Sequence, residues 1–573
     1  MAPTMRLPNL LATRRGRLAA FFCLYMTEGM PLGFAATAVA TQLRRLGVGP
    51  AEIGAFVASF YLPWAFKWAF GPFIDTFASE RLGRRRGWVL GTQVMMALTL
   101  VSLIFVPLPA QLPLFTAILL VHNSFGAMQD VAIDSMACNV LPEDERGTAN
   151  GLMFAGAYTG QAIGGSGVLF LSGITGFGPS YLVVAAAILL VTALVVLPMK
   201  EAVVGEARPK AGSLRAAGAE MRDFSVQAFR AFLGTRAAFA GLAYALLPTG
   251  AMCLGLALQT NLSVELGLDD NQVALMQLWS TLLSAAFCVA GGWLSDRFGR
   301  RRMLALFLAL MSVPVAALAL QMQSIGWIMP RAVGPGTAMA PAALIAGLWA
   351  ATLVYAAFQG LMYGTNSAVF MDITRPAVAA TQFTAYMALS NLAISYSAAW
   401  QGAAVEAWGY PVTMGIDAAF GLLGLTLLPL MKRSGKANDT DDAFDDGRAA
   451  GRARALAGVL ALGCIGWLAA HAAGLDKNAA IAGTGFTLIF VASGLFLLAG
   501  AAMLRGGRPW ARIVMALLLL AMGLRQQLGL PEPLLLALPA MGAAMLARLA
   551  MRRWDELTVV SAAASRAIGR TTD

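Results

Sequence analysis

The sequence predicts an all-α polytopic membrane protein. Hydrophobic residues make up 58% of the chain and charged residues only 12%, whereas soluble domains carry roughly a quarter charged residues. The mean hydropathy is +0.69. Apolar runs of about 20 residues, the length that crosses a bilayer as a helix, recur along the chain. These observations exclude an ordinary soluble domain.

Twelve apolar runs precede residue 433, and we interpret each as a membrane span. Six precede a charged stretch at 199–236 and six follow it, which predicts an N-terminal six-helix bundle at 1–198 and a C-terminal one at 237–432. The linker at 199–236 either forms an amphipathic helix on the membrane surface or is a simple connection. The predicted spans are 18–42, 51–72, 88–107, 112–136, 147–171, 180–198, 237–262, 272–294, 303–322, 342–370, 380–403 and 410–431.

A third region follows the two bundles. Residues 433–454 form an acidic linker, and residues 455–550 hold up to four additional transmembrane helices. Residues 551–573 form a cytoplasmic tail. The apolar runs of this region are 455–475, 481–504, 511–524 and 533–550.

The net charge of +11 is explained by the predicted orientation of the protein in the membrane. When both termini are placed in the cytoplasm, most of the 41 Lys and Arg residues fall on the cytoplasmic side, as the positive-inside rule requires. We therefore expect the lipid bilayer, and not nucleic acid, as a partner. Lys67 lies within a span, and the basic residues on the opposite side are Arg44, Arg45, Arg331, Lys477 and Arg525.

One motif occurs twice. Residues 71–86 read GPFIDTFASERLGRRR and residues 292–302 read GWLSDRFGRRR, and each follows the second span of its half. Duplicated six-helix halves with the substrate path between them describe the major facilitator architecture. The motif resembles the cytoplasmic loop signature of that superfamily, although the first copy is longer and lacks the Arg after Asp. The resemblance implies a conformational latch, with topology anchoring as the alternative role of the arginines; the latch residues are Asp75, Arg84, Arg85, Asp296, Arg300 and Arg301.

Ionisable residues inside apolar spans are the strongest chemical signal. Glu28, Lys67, Asp130 and Asp134 lie within predicted spans, where a charge costs a few kcal/mol unless it faces a partner or a wet cavity. Asp130 and Asp134 share one helix face, so one of these carboxyls could hold a proton. We expect the three acids to couple transport to protons, with Lys67 and Arg146 as charge partners. Structural ion pairing is the alternative.

Other polar and aromatic side chains in the first half are candidates for a cavity lining, with helix packing as the alternative. Gly156, Gly160 and Gly164 are interpreted as a helix-packing face. Asp372 and Asp417 are interpreted as residues at helix ends. Neither the cysteines, which are scattered singly, nor the two histidines predict a metal site. The cavity candidates are Tyr61, Trp64, His122, Asn123, Gln129 and Gln161.

Four stretches within the first 430 residues are FKWAFGPFID, LGRRRGWVLGTQ, QDVAIDSMACNVLPEDERGTANG and AATQFTAYMALSNL. On these stretches, the first 430 residues resemble a narrower family, the AmpG-type peptidoglycan-fragment permeases. The matching positions are Lys67, Asp75, Gly83, Arg84, Arg85, Arg86, Gln129, Asp130, Asp134, Leu141, Pro142, Glu145, Arg146, Gly147, Thr381, Gln382 and Phe383.

That resemblance implies a secondary transporter, not an enzyme. We expect it to import anhydro-muropeptides across the bacterial inner membrane as a monomer, by alternating access, with the proton gradient and no cofactor. Its partners would be the solute and protons. The wider group also includes siderophore and acetyl-CoA carriers, so another bulky anionic cargo is an alternative. A membrane sensor that uses the last helices to contact a partner is the alternative from a different class.

Overall fold

The computed structural model describes residues 9–77, 82–201, 218, 232–333, 339–374, 379–432, 446–473 and 532–551. The predicted linker helix within 199–236 falls almost entirely outside these residues, and the predicted spans 481–504 and 511–524 fall wholly outside them. Within the described residues the fold is all-helical, as the sequence predicts.

Helices account for all six predicted spans of the first half. The first span bulges into a π-helix at Phe34–Val39, and the second is interrupted by the 3-10 turn Lys67–Ala69. Further π-helices occur at Ile163–Gly167 and Thr192–Val196. The α-helices are α1 Arg14–Gly33, α2 Ala40–Arg45, α3 Pro50–Ala65, α4 Phe70–Thr76, α5 Arg86–Leu103, α6 Leu112–Val140, α7 Glu143–Ala162, α8 Val168–Thr175 and α9 Ser180–Val191.

The second half follows the same order, but its first span is interrupted. The predicted continuous span 237–262 is wrong, because the helix ends at Ala245 and resumes at Ala257, with a 3-10 turn at Cys253–Gly255. The α-helices are α10 Arg236–Ala245, α11 Ala257–Glu265, α12 Asp270–Phe298, α13 Arg300–Ile325, α14 Ala342–Ile373, α15 Ala379–Trp408, α16 Tyr410–Gly421 and α17 Gly424–Leu427.

Two helices are described beyond residue 432: α18 Asp446–Ala472 and α19 Glu532–Met551, which pack against each other. They correspond to the predicted spans 455–475 and 533–550. Six helical stretches among the described residues are long and apolar enough to cross a membrane: Arg14–Arg45, Asp270–Phe298, Arg300–Ile325, Ala342–Ile373, Tyr410–Met431 and Gly451–Ala470.

The chain forms two compact units. One contains Met1–Gly218, Tyr244–Phe370 and Met387–Leu428, and the other contains Ala219–Ala243, Met371–Tyr386 and Pro429–Asp573. The first unit thus includes most of both predicted halves. In the second unit the hydroxyl of Tyr386 donates to the backbone oxygen of Ala238 at 3.0 Å.

Glycines bring α1 and α7 together. A Cβ at Gly156 or Gly160 would collide with the backbone of α1, and a Cβ at Gly29 would collide with that of α7. Helices approach this closely only where side chains are absent. The predicted packing role of the glycine face is therefore confirmed. Beside this contact lies an apolar core that includes Phe21, Leu24, Ile133, Met136, Met153 and Val196.

Candidate functional site

A largely buried ion pair lies in the first half. The Nζ of Lys67 donates to Oδ2 of Asp130 at 3.0 Å, and the two side chains are 15% and 4% exposed. The Lys67 ammonium also lies 5.9 Å from the centre of the Trp64 ring, where the aromatic face attracts a cation. The break in the second span at Lys67–Ala69 positions this ammonium beside α6. The structure therefore pairs two of the predicted site residues.

Two further carboxyl groups belong to the same site. The hydroxyl of Tyr25 donates to Oδ1 of Asp134 at 2.5 Å. Glu28 interacts electrostatically with Asp130, Asp134 and Lys67. Its Oε2 atom is buried, and no described residue donates a hydrogen bond to it. We call Glu28, Lys67, Asp130 and Asp134 the charged cluster; it combines three carboxyl groups with one ammonium, which binds Asp130.

A neutral hydrogen-bond network lies beside the charged cluster. The side-chain amides of Gln93 and Gln129 both donate to the Oγ1 of Thr27, each at 3.1 Å. The Oγ1 of Thr192 donates to Oε1 of Gln93 at 2.7 Å. All four side chains are buried. The network therefore fixes α1, which carries Glu28, against α5, α6 and the π-helix after α9.

Two cavity candidates hold helices together in this structure. The Nδ1 of His122 lies 3.0 Å from the backbone oxygen of Met96 and 2.9 Å from the Oγ1 of Thr99. The side-chain amide of Asn123 donates to the backbone oxygen of Phe60. Both side chains are buried, so neither lines a solvent-accessible surface here. Their contacts fit the packing alternative.

The remaining candidates of the first half are placed as follows. Tyr61 is half-buried, with its ring edge-on to Phe60 at 5.8 Å, and Gln161 is also half-buried. The side chain of Arg146 lies outside the described residues. Its neighbour Glu145 is bound by Arg17 instead, with contacts of 2.9 Å and 2.5 Å.

A second buried ion pair joins the two halves at one end of the bundle, which we call the closed end. The Nη2 of Arg44 donates to Oε2 of Glu265 at 2.8 Å, and the side chains are 4% and 0% exposed. Glu265 also accepts from the Tyr410 hydroxyl at 2.8 Å, the Trp327 ring nitrogen at 3.1 Å and the Arg331 backbone nitrogen at 2.9 Å. Every acceptor position of Glu265 is thus served by a donor.

Two more contacts cross between the halves at the closed end. Arg45 pairs with Asp270 at 3.0 Å, and Oε1 of Glu406 accepts from the backbone nitrogen of Ala51 at 2.9 Å. As in the Arg44 pair, the first half supplies the donor and the second half supplies the carboxylate. Sequence reasoning missed this arrangement because it counted the arginines only as loop charges. The sequence did contain a signal for this pairing: at this end of the bundle the first half carries Arg44 and Arg45, and the second half carries Glu265 and Asp270.

The duplicated loops lie at the opposite end. Helix α3 begins beside Glu406 and α12 begins beside Arg45, both at the closed end. Each runs away from that end along its own span. Asp75 and Asp296, near the far ends of these spans, therefore share the other end of the bundle.

The first loop is tied to its own half. The backbone nitrogen of Arg85 donates to Oε2 of Glu201 at 2.8 Å, and its Nε donates to Ser135 at 2.6 Å. The Arg86 guanidinium donates to the backbone oxygen of Leu197 at 2.6 Å. These bonds fix the loop to α6 and to the end of the sixth span.

The second loop contains an exposed ion pair. The Nε of Arg300, the first residue of α13, donates at 2.9 Å to Oδ1 of Asp296 near the end of α12. The side chain of Asp75 lies outside the described residues, while Arg84 and Arg301 are half-buried. The latch roles of these residues stay predictions.

The comparison with protein families decides the class of the protein. The model of the Major Facilitator Superfamily matches residues 18–249 and residues 240–569. The chain belongs to the Major Facilitator Superfamily. It is therefore a multi-span membrane transporter and not an enzyme.

Curated relatives place this facilitator near a named permease. It is 27% identical to the anhydromuropeptide permease of Escherichia coli K12 over 156 residues, which are 27% of this chain and 32% of the permease. The match thus spans about a third of that relative's length. It is 26% identical to an uncharacterized protein of Haemophilus influenzae over 412 residues, 70% of this chain and 91% of the relative.

Solved structures share the fold of the facilitator. A POT family transporter in complex with a thioalcohol-conjugated peptide aligns with a TM-score of 0.57 and 11% identity, covering 73% of this chain and 96% of that one. The inward-open xylose transporter XylE of E. coli aligns with a TM-score of 0.54 and 14% identity, covering 75% and 99%.

The break in the first span of the facilitator's second half is stabilised by a carboxyl group of α16 whose role the sequence did not reveal. Asp417, predicted to lie at a helix end, is fully buried. Its Oδ2 accepts from the backbone nitrogens of Met252 and Cys253 at 2.8 and 3.0 Å, and its Oδ1 accepts from Gln401 at 2.7 Å. The edge interpretation is therefore wrong: Asp417 replaces the helical partners that the break leaves unpaired.

Local sequence explains where the span breaks. Pro248 cannot donate a backbone hydrogen bond, and Gly250 adopts a φ of 83°, a conformation that favours glycine. The segment is apolar enough to read as a continuous span. The break is stabilised by a residue distant in sequence, Asp417, which accepts hydrogen bonds from its backbone nitrogens.

Proposed function

We propose that this facilitator imports anhydro-muropeptides across the bacterial inner membrane, driven by the proton gradient. The observation that supports the proton coupling is the charged cluster, in which the ammonium of Lys67 binds Asp130 and two further carboxyl groups, of Glu28 and Asp134, lie in the same electrostatic environment. Three carboxylates beside one cation leave excess negative charge in a poorly solvated site. A bound proton neutralises part of that charge.

The cargo proposal rests on similarity. The named relative of E. coli is an anhydromuropeptide permease, and the stretch around Asp130 and Asp134 resembles that family. Transport assays with defined cargoes test this part of the proposal.

Alternating access is the proposed mechanism. The buried Arg44–Glu265 pair holds the two halves together at the closed end. The distribution of basic residues favours an outer location for this end and a cytoplasmic location for both termini. In this arrangement, opening to the outside requires the pair to separate, and the charged cluster then changes its exposure to the proton source.

Uptake into energised right-side-out vesicles tests the proposal. Vesicles that contain the facilitator should accumulate labelled anhydro-muropeptide against its gradient, and a protonophore should abolish the accumulation. Glu28→Gln should abolish proton-driven accumulation while it leaves exchange of labelled for unlabelled cargo in place. The matched control is Glu52→Gln. Glu52 is exposed and lies in the first turn of α3, outside the charged cluster, so this variant should transport normally.

Other outcomes of the uptake experiment would contradict individual parts of the proposal. Accumulation that a protonophore does not affect would remove proton coupling. Accumulation of a siderophore or an acyl-CoA in place of the muropeptide would assign another cargo. Binding of cargo without any accumulation would favour a sensor. Unaltered proton-driven accumulation by Glu28→Gln would remove Glu28 from the mechanism.

A further inference from the structure

The connection between α13 and α14 crosses the closed end of the bundle. Helix α13 is terminated by Gly326, whose φ of 76° is left-handed and favours glycine. The backbone nitrogen of Trp327 donates to the backbone oxygen of Met322 at 2.9 Å, which completes a helix-terminating turn of the Schellman type. This turn directs residues 327–331 toward the buried ion pair of the closed end. We call residues 327–331 the lid.

The lid is bonded to both members of the buried ion pair. The backbone nitrogen of Arg331 donates to Oε1 of Glu265 at 2.9 Å, and the backbone oxygen of Arg331 accepts from Nη2 of Arg44 at 2.7 Å. The ring nitrogen of Trp327 donates to the same Oε1 atom at 3.1 Å. Because Arg44 belongs to the first half, its bond to Arg331 joins the lid to the opposite half.

The lid also covers the ion pair. The Glu265 side chain is fully buried, and the Trp327 ring bonded to it belongs to a residue that is only 4% exposed. The guanidinium of Arg331 stacks on that ring at 3.6 Å, and Arg331 is exposed. These three side chains therefore form successive layers from the interior to the surface. Since opposite charges attract more strongly in a low-dielectric site than in water, the lid strengthens the pair by keeping solvent from it.

The lid is fixed to the second half. The backbone oxygen of Ile328 accepts from the backbone nitrogen of Tyr410 at 2.8 Å. A Cβ at Gly409 would lie 2.5 Å from the same oxygen, so the lid approaches the start of α16 this closely only because position 409 has no side chain. The lid and Glu265 thus belong to one half, and Arg44 is the member of the network that comes from the other.

We propose that residues 327–331 act as a lid on the Arg44–Glu265 pair, and that closure of this end depends on the cover they provide. This inference rests on the alternating-access mechanism proposed above. Opening releases Arg44 from two acceptors, Oε2 of Glu265 and the backbone oxygen of Arg331. Glu265 keeps three donors of its own half, from Tyr410, Trp327 and Arg331. Its carboxylate therefore stays hydrogen-bonded while the halves are apart, which makes separation of the pair reversible.

Chemical labelling of a cysteine between the halves tests the lid. Ser395 is the reporter position, because its hydroxyl donates to the backbone oxygen of Ala58 in the other half at 2.7 Å and the residue is 6% exposed. The Ser395→Cys protein, without its native cysteines, is placed in right-side-out vesicles with a membrane-impermeant maleimide outside. The labelling rate then measures how often the closed end opens.

Two substitutions remove or displace the lid. Trp327→Ala should raise the labelling rate about tenfold or more, because a buried ion pair becomes a solvent-exposed one. Gly409→Ala should act in the same direction, since its Cβ collides with the backbone of Ile328, and it decides the test if Trp327→Ala does not fold. Trp327→Phe keeps an aromatic cover and should label more slowly than Trp327→Ala. The control is Trp408→Ala, which removes a ring that is 41% exposed at the same end and should label like the wild type.

A double substitution shows whether the lid acts through the ion pair. Glu265→Gln alone should raise the labelling rate about a hundredfold. Combined with Trp327→Ala, it should label at most about threefold faster than the faster single variant, since an uncovered pair contributes little. Combined with Trp408→Ala, it should match Glu265→Gln alone. The labelling rate of exposed Leu46→Cys gives the maximal rate, below which these comparisons are made.

The outcomes distinguish failure of the lid from failure of the proposed function, because labelling does not require cargo. If Trp327→Ala and Gly409→Ala label like the wild type while Glu265→Gln labels faster, the lid is overturned and the role of the ion pair stands. Multiplicative effects of Trp327→Ala and Glu265→Gln would also overturn the lid. If all three variants label like the wild type, the lid and alternating access at this end are both overturned. Faster labelling of both lid variants in vesicles that accumulate no muropeptide would support the lid and overturn import.

Discussion

Arg44 and Glu265 occupy equivalent positions in the two halves and carry opposite charges. Arg44 lies at the end of the first span of the first half, and Glu265 lies at the end of the first span of the second half. Their side chains meet at 2.8 Å with almost no exposure to solvent. The duplicated architecture thus brings the ends of two corresponding helices together as an ion pair.

Removal of the Glu265 charge should open the closed end. Glu265→Gln leaves the Arg44 guanidinium buried without its counter-ion, which typically costs about 3–5 kcal/mol. Conformations in which this end is open to water should become more populated. The measurement is the distance between spin labels at Leu46→Cys and Met339→Cys, two exposed sites, in a background without the native cysteines. We expect a shift to longer distances.

The Arg45–Asp270 pair provides the control for this experiment. Its side chains are 28% and 34% exposed, and such pairs contribute about 0–1 kcal/mol. Asp270→Asn should therefore leave the distance distribution close to that of the wild type. Equal effects of the two substitutions would contradict the assignment of closure to the buried pair.

The Lys67–Asp130 pair should show rescue by a second substitution. Lys67→Met leaves a buried carboxylate without its cation, at a cost of about 3–5 kcal/mol, and should lower the unfolding temperature of the purified protein. Lys67→Met combined with Asp130→Asn removes both charges and should restore much of the stability. A double variant less stable than Lys67→Met would show that the two residues do not stabilise each other.

Sequence patterns predicted the helices because apolar length and the position of charges are local properties. The duplicated Gly-Asp-Arg motif added the relation between the halves. The Lys67–Asp130 contact was also foreseeable, since two opposite charges in neighbouring apolar spans need each other.

The closed-end network and the role of Asp417 were not foreseeable in the same way. Glu265 and Arg44 both lie near span ends, where a charge can be solvated, and their pairing depends on which end of the bundle is closed. Asp417 stabilises backbone groups more than 160 residues earlier in the chain. Nothing local distinguishes it from an acid at a helix end.

Loss of the Asp417 carboxylate should loosen the broken span. Asp417→Ala leaves the backbone nitrogens of Met252 and Cys253 unpaired, and each unsatisfied group costs about 1–3 kcal/mol. The fully buried Cys253 should then react faster with maleimide in a background where the other cysteines are replaced. Gln401→Leu is the control, because it removes a bond to Asp417 and leaves the bonds to the break in place. Unchanged labelling of Asp417→Ala would contradict the role assigned to Asp417.

Substitution by alanine should have different effects on stability at two glycines of α7. Gly160→Ala places a Cβ against the backbone of α1 and should cost about 1–3 kcal/mol as overpacking. Gly151→Ala meets no described atom within 4 Å and should be neutral or stabilise the helix by up to about 1 kcal/mol. Thermal unfolding in detergent measures both. Equal unfolding temperatures of the two variants would indicate that α1 and α7 can move apart without a loss of stability.

The Arg17–Glu145 pair should make stability depend on pH in the acidic range. The hydrogen bond from the Arg17 guanidinium lowers the pKa of Glu145 below its usual value, which is about 4.3 in an unfolded chain. A lowered pKa in the folded state adds stability above the unfolded value, and this contribution is lost as the pH falls through the folded value. Glu145→Gln should therefore unfold at a lower temperature than the wild type at pH 7, and the difference should shrink below about pH 4. Glu52→Gln should follow the wild type throughout. A difference that stays constant from pH 7 to pH 3 would show that Glu145 acts through packing and not through its charge.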